Sequence, residues 1–281
     1  MALNNKIFIL GVGCQKGGTS WLNHYLRLHP SSQLGIMKEY HVFDALYVPE
    51  CSNWYLNAVK NAKTDRNSKL RARFIEDSQA YFDYFTHLLE KSGKQFTADI
   101  TPSYAALPEH ALHAIKDGFE KRGVTVKVVF LMRDPFERVF SYCRKDIRNR
   151  KLSYKENPYL EQESLLKHFA TRGCEFRTQY EITIKKLENV FDSKDIFYGF
   201  YETLFTDESI KRLTDFLGVD FSKGNYMEKV NEGQAPQKFD TLAYEKIISN
   251  HYRDTYLFLY DRFGESFIKN IWKSARHISK L

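Results

Sequence analysis

Short apolar runs separated by longer amphipathic segments form the main pattern along the chain. The apolar runs predict β-strands at 7–12, 34–37, 96–99, 126–132 and 196–200. The run at 126–132 is rich in β-branched residues and almost wholly apolar, as in a parallel strand that is covered on both faces. We therefore expect it to be a central strand of the sheet.

The segments between the strands carry the helical spacing of apolar residues. The stretch 52–95 reads mainly as helix, and its apolar side chains from Phe74 to Leu89 recur at positions i, i+3, i+4 and i+7. This spacing predicts a stripe that faces the core. A first helix begins at Thr19. Further helices are predicted over 108–121, from about 136, and over 175–192, 206–217, 240–263 and 265–279, with loops at 151–163 and 222–239.

The alternation of strands and helices predicts the fold class. It is typical of α/β proteins with a mostly parallel central sheet and helices on both faces. The 281-residue chain has 43% hydrophobic residues, enough for a sizeable core. Because no internal repeat, low-complexity tract or linker interrupts it, we predict a single domain over residues 1–281.

Charge and cysteine usage narrow the functional classes. The net charge of +7 favours an anionic partner, such as a nucleotide, an acidic glycan, nucleic acid or a membrane surface, without choosing among them. The four cysteines are far apart and form no CxxC pair, so neither a zinc site nor a disulfide framework is predicted. The N-terminus shows neither a signal peptide nor a membrane span, and we expect a cytoplasmic protein with free thiols.

The first strand is followed by a loop with four glycines and then by a helix start. This geometry binds phosphate, because glycines allow a close backbone approach and the amides of the helix N-terminus face the anion. Lys16 adds a charge, and Thr19 and Ser20 add hydroxyl donors. The loop is P-loop-like but is not a Walker A sequence, since its lysine precedes Gly17 and Gly18 instead of standing directly before Ser or Thr.

Three polar stretches are predicted to meet at one site. They are 16–21, the pair Lys38-Glu39, and Arg133 with Ser141 eight residues further on. Each follows a predicted strand, and ligands of open α/β sheets bind outside the carboxyl ends of the strands.

These stretches resemble the motifs of sulfotransferases that use 3′-phosphoadenosine 5′-phosphosulfate (PAPS). Gln15 to Leu22 is similar to the family's 5′-phosphosulfate loop, and Arg133 to Ser141 is similar to its 3′-phosphate motif. Residues 38–44 resemble the segment that carries the catalytic glutamate in the heparan-sulfate branch, and residues 99–104 resemble a substrate-side loop of that branch. Tyr201-Glu202 is similar to a later strand-end motif. The resemblance spans roughly residues 6–265.

The resemblance implies roles for individual residues. It implies that Arg133 and Ser141 bind the 3′-phosphate, that Tyr201 lies near the adenine, and that Glu39 is the general base with His41 as a competing candidate. Lys38 would hold the sulfonate or adjust the pKa of Glu39. The residues implied for donor binding in and after the glycine loop are Lys16, Gly17, Gly18, Thr19, Ser20 and Trp21.

The sequence also departs from the family's pattern. The basic loop that closes over the 3′-phosphate in many relatives has no clear counterpart, although 231–238 occupies its place and Lys238 is a weak candidate. Trp21 is more like the cytosolic branch, in which an aromatic residue stacks on adenine. The acceptor, a small molecule or a glycan with a hydroxyl or amine group, therefore stays open, as does the oligomeric state. The implied chemistry requires no metal, and no nucleic-acid partner is expected.

Two other functions are compatible with parts of the sequence. A P-loop nucleotide kinase or NTPase would use Asp134, after the strand at 126–132, to bind Mg²⁺, but the order of lysine and glycines argues against it. A protein that binds acidic polymers without catalysis would explain the positive charge. It would not depend on Lys16.

Overall fold

The computed structural model describes residues 6–152, 157, 159–227 and 240–279. Within them, four parallel strands form one sheet in the order β2-β1-β3-β4. The strands are Lys6–Gly13 (β1), Phe96–Ile100 (β2), Val124–Met132 (β3) and Ile196–Phe200 (β4). The predicted α/β class with a parallel sheet is therefore confirmed.

The strand predicted at 34–37 is wrong. Apart from an isolated bridge between Ser32 and Phe96, this segment is not paired with the sheet. Its backbone is instead satisfied by tyrosine hydroxyls. The N–H of Ile36 donates to Tyr84 at 3.1 Å, and the N–H of Met37 donates to Tyr40 at 3.4 Å. Leu34 and Met37 of this run are buried, whereas Ile36 is exposed.

Helices cover both faces of the sheet, and several predicted helices are divided. The stretch 52–95 contains three helices with aspartate caps at Asp65 and Asp77, and 240–263 is divided at Tyr252. The helices are α1 (Thr19–Leu28), α2 (Phe43–Tyr47), α3 (Asn53–Asn61), α4 (Arg66–Glu76), α5 (Ser78–Ser92), α6 (Glu109–Glu120), α7 (Pro135–Asn149), α8 (Leu160–His168), α9 (Arg172–Glu175), α10 (Tyr180–Val190), α11 (Asp207–Leu217), α12 (Leu242–His251), α13 (Arg253–Phe263) and α14 (Glu265–Ile271).

Three other boundaries differ from the predictions. Helix α8 begins inside the predicted loop 151–163, α10 begins five residues later than expected from 175–192, and α14 gives way to a 3-10 turn at Lys273–His277. Of the predicted loop 222–239, the described part, 222–227, has neither helix nor strand, and the remainder lies outside the described residues.

Alternate side chains of the strands enter two separate cores. In β1, Phe8 and Leu10 join the larger cluster, whereas Ile7 and Ile9 join the smaller one on the opposite face. This period of two is what a strand covered on both faces requires. The predicted stripe packs in the larger core, where Phe74, Tyr81, Phe82, Phe85 and Leu89 are buried. No helix among the described residues is long and apolar enough to cross a membrane.

Candidate active site

A tight loop joins β1 to the first turn of α1. Lys16 has φ 72° and Gly18 has φ 87°, both in the left-handed region. A side chain at Gly17 would begin 2.6 Å from Cys14 Sγ, and one at Gly18 would begin 2.8 Å from Leu204 Cδ2. Both positions therefore need glycine for space, and Gly18 also for its conformation.

The N-terminus of α1 opens beside this loop. No side chain caps it at Gly18. Thr19 and the half-buried Ser20 are the first two helical residues, and neither hydroxyl bonds to another described residue. Uncapped amides and hydroxyls at a helix start form a site suited to an anion.

Positive charges surround Lys16. Its pKa is lowered to about 8, first by burial and then by the charges of Lys145, Arg133, Arg148 and Lys38. Among the residues that the structure describes, no carboxylate lies within ion-pairing distance of Lys16. The loop therefore has an uncompensated positive potential that a bound anion would relieve.

Arg133 contacts the loop directly. It follows β3, and its Nη1 donates to the carbonyl of Lys16 at 3.1 Å. Its guanidinium lies 4.4 Å from the ring centre of Tyr201 and pairs with Glu137 at 3.2 Å. The Nε of Arg133 is buried without a partner among the described residues.

Ser141 lies two turns along α7 from Arg133. It is half-buried, and its hydroxyl bonds to no other described residue. Tyr180 fixes the start of this segment by donating to the carbonyl of Arg133 at 2.8 Å. The structure thus brings the predicted phosphosulfate loop, Arg133 and Tyr201 into contact at one edge of the sheet.

Trp21 is packed more deeply than its predicted role in donor binding suggests. Its side chain is 4% exposed. It stacks on Tyr25 at 5.6 Å and on Tyr226 at 6.0 Å, and its indole N–H donates to the carbonyl of Asn225 at 3.1 Å. The segment 222–226 therefore covers most of the ring. A contact between Trp21 and the donor stays a prediction.

The second predicted stretch forms a network of charged side chains. Glu39 pairs with Lys38 on one side and meets His41 Nε2 at 3.1 Å on the other. The other ring nitrogen of His41 lies 2.6 Å from Asp44 Oδ2. Asp44 is fully buried and also accepts a hydrogen bond from Ser103. The two candidate bases are thus neighbours that share one network.

The network shifts the protonation of both candidates. Burial raises the pKa of Glu39, but the hydrogen bond from His41 and the contacts with Lys38 outweigh it and lower this pKa to about 2. Burial lowers the pKa of His41, whereas the hydrogen bonds to Asp44 and Glu39 outweigh it and raise this pKa overall. Near neutral pH Glu39 is therefore ionised, and the same contacts favour the protonated form of His41.

The network includes residues that the sequence reasoning did not assign. Asp44 is three residues after His41, a spacing that could have identified it. Ser103 lies in the segment 99–104, which resembles a substrate-side loop. Trp54 had no local signal. Arg71 belongs to a basic cluster with Arg66, Lys69 and Arg73, for which the sequence favours a solvated face over acceptor binding. Trp54 stacks on His41 at 3.8 Å, and Arg71 Nε donates to the carbonyl of Tyr40 at 2.7 Å.

The carboxylate of Asp134, the acidic residue after β3, is buried and hydrogen-bonded within the protein. Asp134 is buried and accepts from the backbone N–H groups of Phe136 and Ser274, each at 3.0 Å, and from Tyr256 at 3.2 Å. It also accepts from the Ser274 hydroxyl. Its lone pairs are therefore used in holding the C-terminal turn on α7.

Comparison with known proteins gives one family match. A family model described as "Sulfotransferase domain" matches residues 5–255. The chain belongs to the sulfotransferase family. The match does not distinguish the branches of the family, so the likeness to the heparan-sulfate branch stays a prediction. No curated protein matches the chain.

Three solved structures are similar to the chain at low sequence identity, and the first of them shares the fold. A sulfotransferase from Alicyclobacillus acidocaldarius has a TM-score of 0.57 and 19% identity, and the match covers 97% of this chain and 98% of that one. The sulfotransferase domain of the Synechococcus PCC 7002 olefin synthase has a TM-score of 0.46 and 16% identity, covering 89% and 87%. The sulfotransferase domain of the curacin biosynthetic pathway has a TM-score of 0.45 and 19% identity, covering 83% and 80%.

Proposed function

We propose that this sulfotransferase moves a sulfuryl group from PAPS to a hydroxyl or amine of its acceptor. The observation that carries the proposal is the contact between the loop at Lys16 and Arg133. Two groups suited to phosphate, from distant segments, meet at the edge of the sheet where nucleotides bind in such folds. One nucleotide with a 5′-phosphosulfate and a 3′-phosphate can bridge them.

The residues present fit the donor. Gly17 and Gly18 carry no side chain that would keep a phosphate away from the loop backbone. The buried Nε of Arg133 has no partner among the described residues, and phosphate oxygens are suitable acceptors for it. We assign the sulfated end of the donor to residues 16–20, its 3′-phosphate to Arg133 and Ser141, and its adenine to the neighbourhood of Tyr201.

In the proposed reaction, PAPS supplies an activated sulfuryl group and a nucleotide leaving group. Lys16 and the first amides of α1 stabilise the negative charge that develops on the leaving phosphate. By analogy with phosphoryl transfer, the acceptor attacks in line, and much of the catalysis is positioning and charge stabilisation. The chain's own cations supply this charge, and we propose that no metal is needed.

Glu39 is the proposed general base. Its carboxylate is ionised at neutral pH and part of its side chain, 34%, is exposed, so an acceptor proton can reach it. His41 keeps the carboxylate in place through its contact with Glu39. Lys38 pairs with Glu39, and its charge acts on Lys16, so we assign it the contact with the sulfonate.

The arrangement of Asp134 weighs against a nucleotide kinase. A kinase of the P-loop type needs an acidic group that is open to Mg²⁺. The carboxylate of Asp134 is buried and engaged by Phe136, Ser274 and Tyr256. A protein that only binds acidic polymers would not need the glycine-lined turn beside Lys16.

A screen with ³⁵S-labelled PAPS against pooled acceptors tests the proposal, with products identified by mass. We expect labelled product with PAPS alone, loss of product in Lys16→Ala, and no phosphoryl transfer when ATP and Mg²⁺ replace PAPS. Phosphorylated product with ATP and Mg²⁺, together with failure to bind adenosine 3′,5′-bisphosphate, would establish the kinase alternative instead.

A further inference from the structure

Helix α7 presents one polar stripe toward the phosphate loop. Ser141, Lys145 and Arg148 are spaced by four and three residues, so their side chains share one face of the helix. The charges of Lys145 and Arg148 act on Lys16. This face of α7 therefore lies on the same side of the molecule as the loop.

The two cations of this stripe differ from the other basic residues of α7. Arg138 is fully buried in the core. Arg144 pairs with Glu161 at 2.9 Å. Lys145 and Arg148 are exposed, and neither has an ion pair or hydrogen bond with another residue in the described part of the chain. The helix thus neutralises or buries its cations elsewhere and leaves two open on the face that points to Lys16.

These two charges extend beyond the region assigned to the donor. Arg148 is seven residues after Ser141, so their Cα atoms are about 10 Å apart along the helix axis at 1.5 Å per residue. A phosphate held by Ser141 and Arg133 is therefore near one end of the stripe, and Arg148 is near the other. Like charges held together without counterions repel each other, and a second bound anion would relieve this repulsion.

We propose that Lys145 and Arg148 form a binding subsite for an acidic group of the acceptor, a carboxylate, sulfate or phosphate ester. The proposal rests on the proposed function, since it takes the donor's phosphates to be bound by the loop, Arg133 and Ser141. It makes the acceptor an anion that is held next to the transferred group.

The test uses the full chain saturated with adenosine 3′,5′-bisphosphate, with inorganic sulfate as the probe. We expect calorimetry to show sulfate binding that is weakened at least about tenfold in Lys145→Ala/Arg148→Ala, because two charges are removed. Affinity for the bisphosphate should stay within about twofold. The matched control is Lys91→Ala/Lys121→Ala, which removes two exposed lysines at the opposite end of the sheet and should leave sulfate binding unchanged.

Three outcomes would overturn the proposal. A tenfold loss of bisphosphate affinity in the Lys145/Arg148 variant would place both cations in the donor site. Unchanged sulfate binding in that variant, or no sulfate binding by the wild type, would mean that no such subsite exists. Sulfate binding that is lost in Lys16→Ala but kept in Lys145→Ala/Arg148→Ala would place the ion in the position of the transferred group. If the wild type does not bind the bisphosphate at all, the proposed function itself fails.

Discussion

Lys16 lies among four positive charges, and burial together with these charges lowers the pKa of its amine to about 8. A bound phosphate favours the protonated amine, so nucleotide binding should raise this pKa. Affinity is then highest where the free protein already carries the proton and falls as the pH rises through about 8. Linkage therefore connects the charge of one side chain to donor binding.

We expect the affinity for adenosine 3′,5′-bisphosphate to fall about tenfold between pH 7 and pH 9, because Lys16 loses its proton in the free protein. Isothermal titration calorimetry across this range measures it. Lys16→Arg is the matched control, since its guanidinium stays charged throughout and its profile should be flat. An equal decline in Lys16→Arg would assign the pH dependence to another group.

Glu39 is held as an anion by His41 and Lys38, which leaves it ready to accept a proton but makes it a weak base when no substrate is bound. Glu39→Gln should lower the turnover number by about 10²–10⁴, the usual contribution of a general base. The amide keeps the size of the side chain, so affinity for the bisphosphate should stay within about twofold. Initial rates with ³⁵S-labelled PAPS measure the loss. Normal turnover in Glu39→Gln would move the base to another residue, with His41 as the first alternative.

His41 should make stability depend on pH in a particular direction. Its pKa is raised in the folded protein above the ordinary value of 6.5, so its contribution is fully present below that pH and is lost as the pH rises through the folded pKa. Urea unfolding at pH 6, 7.5 and 9 should show the difference in stability between the wild type and His41→Asn becoming smaller with rising pH.

Asparagine is suitable for this comparison because His41 has φ 52°, a left-handed conformation that asparagine tolerates. Asp99, whose pKa burial raises to about 6, titrates at the lower end of this range but is present in both proteins. A stability difference that is constant from pH 6 to pH 9 would mean that His41 does not titrate in this range.

At the scale of elements, the spacing of apolar residues and the positions of the glycines predicted most of the architecture. Strands β1, β2, β3 and β4 follow from apolar runs, and the loop before α1 follows from its glycines and lysine. The segment 34–37 shows where this reasoning fails. Its apolar run has the same composition as a strand, but its N–H groups donate to the hydroxyls of Tyr84, far along the chain, and of Tyr40, three residues on, and not to the sheet.

Part of the site was also predictable from the apolar runs. Lys16, Glu39 and Arg133 each follow a strand or a strand-like run, so their shared edge could be inferred. Trp54 could not, because it reaches the site from helix α3, whose pattern reports only packing. Arg71 of α4 stands in a basic cluster at 66–73, and such a cluster is more often a solvated face than part of a site. The contact between Trp21 and the segment 222–226 could not be predicted either, because nothing in the sequence of that segment indicates it.

The loop before α1 requires glycine at position 18, and the strength of this requirement can be measured by comparison with Gly93. Gly18→Ala combines a left-handed φ with a contact of 2.8 Å to Leu204, whereas Gly93→Ala has φ 69° and nothing within 4 Å of the new Cβ. Gly93→Ala should cost about 1–2 kcal/mol of unfolding free energy for conformation alone. Gly18→Ala should cost more and should also weaken bisphosphate binding. Urea unfolding and calorimetry measure both effects, and equal costs would show that the loop relaxes around the methyl group.

For the molecule as a whole, the far end of the chain holds the edge of the sheet on which the site is built. Glu202 follows Tyr201 after β4 and accepts from the backbone N–H of Asp134 at 3.0 Å, so the ends of β3 and β4 are joined. The indole N–H of Trp272 donates to the same carboxylate at 2.9 Å. Ser274, two residues on, bonds to Asp134. The C-terminal segment therefore fixes the spacing of Arg133 and Tyr201, which lie next to these contacts in sequence.

Two substitutions at Trp272 separate the hydrogen bond from the packing in this arrangement. Trp272 is fully buried. Trp272→Phe removes the N–H and leaves one carboxylate oxygen of Glu202 without this donor, which should lower the free energy of unfolding by about 1–2 kcal/mol. Trp272→Ala also removes the ring and should cost about 3–5 kcal/mol. Because the cavity lies behind the residues that hold Arg133 and Tyr201, bisphosphate affinity should fall in Trp272→Ala more than in Trp272→Phe. Urea unfolding and calorimetry test both points, and bisphosphate affinity equal to that of the wild type in a destabilised Trp272→Ala would separate the C-terminal segment from the site.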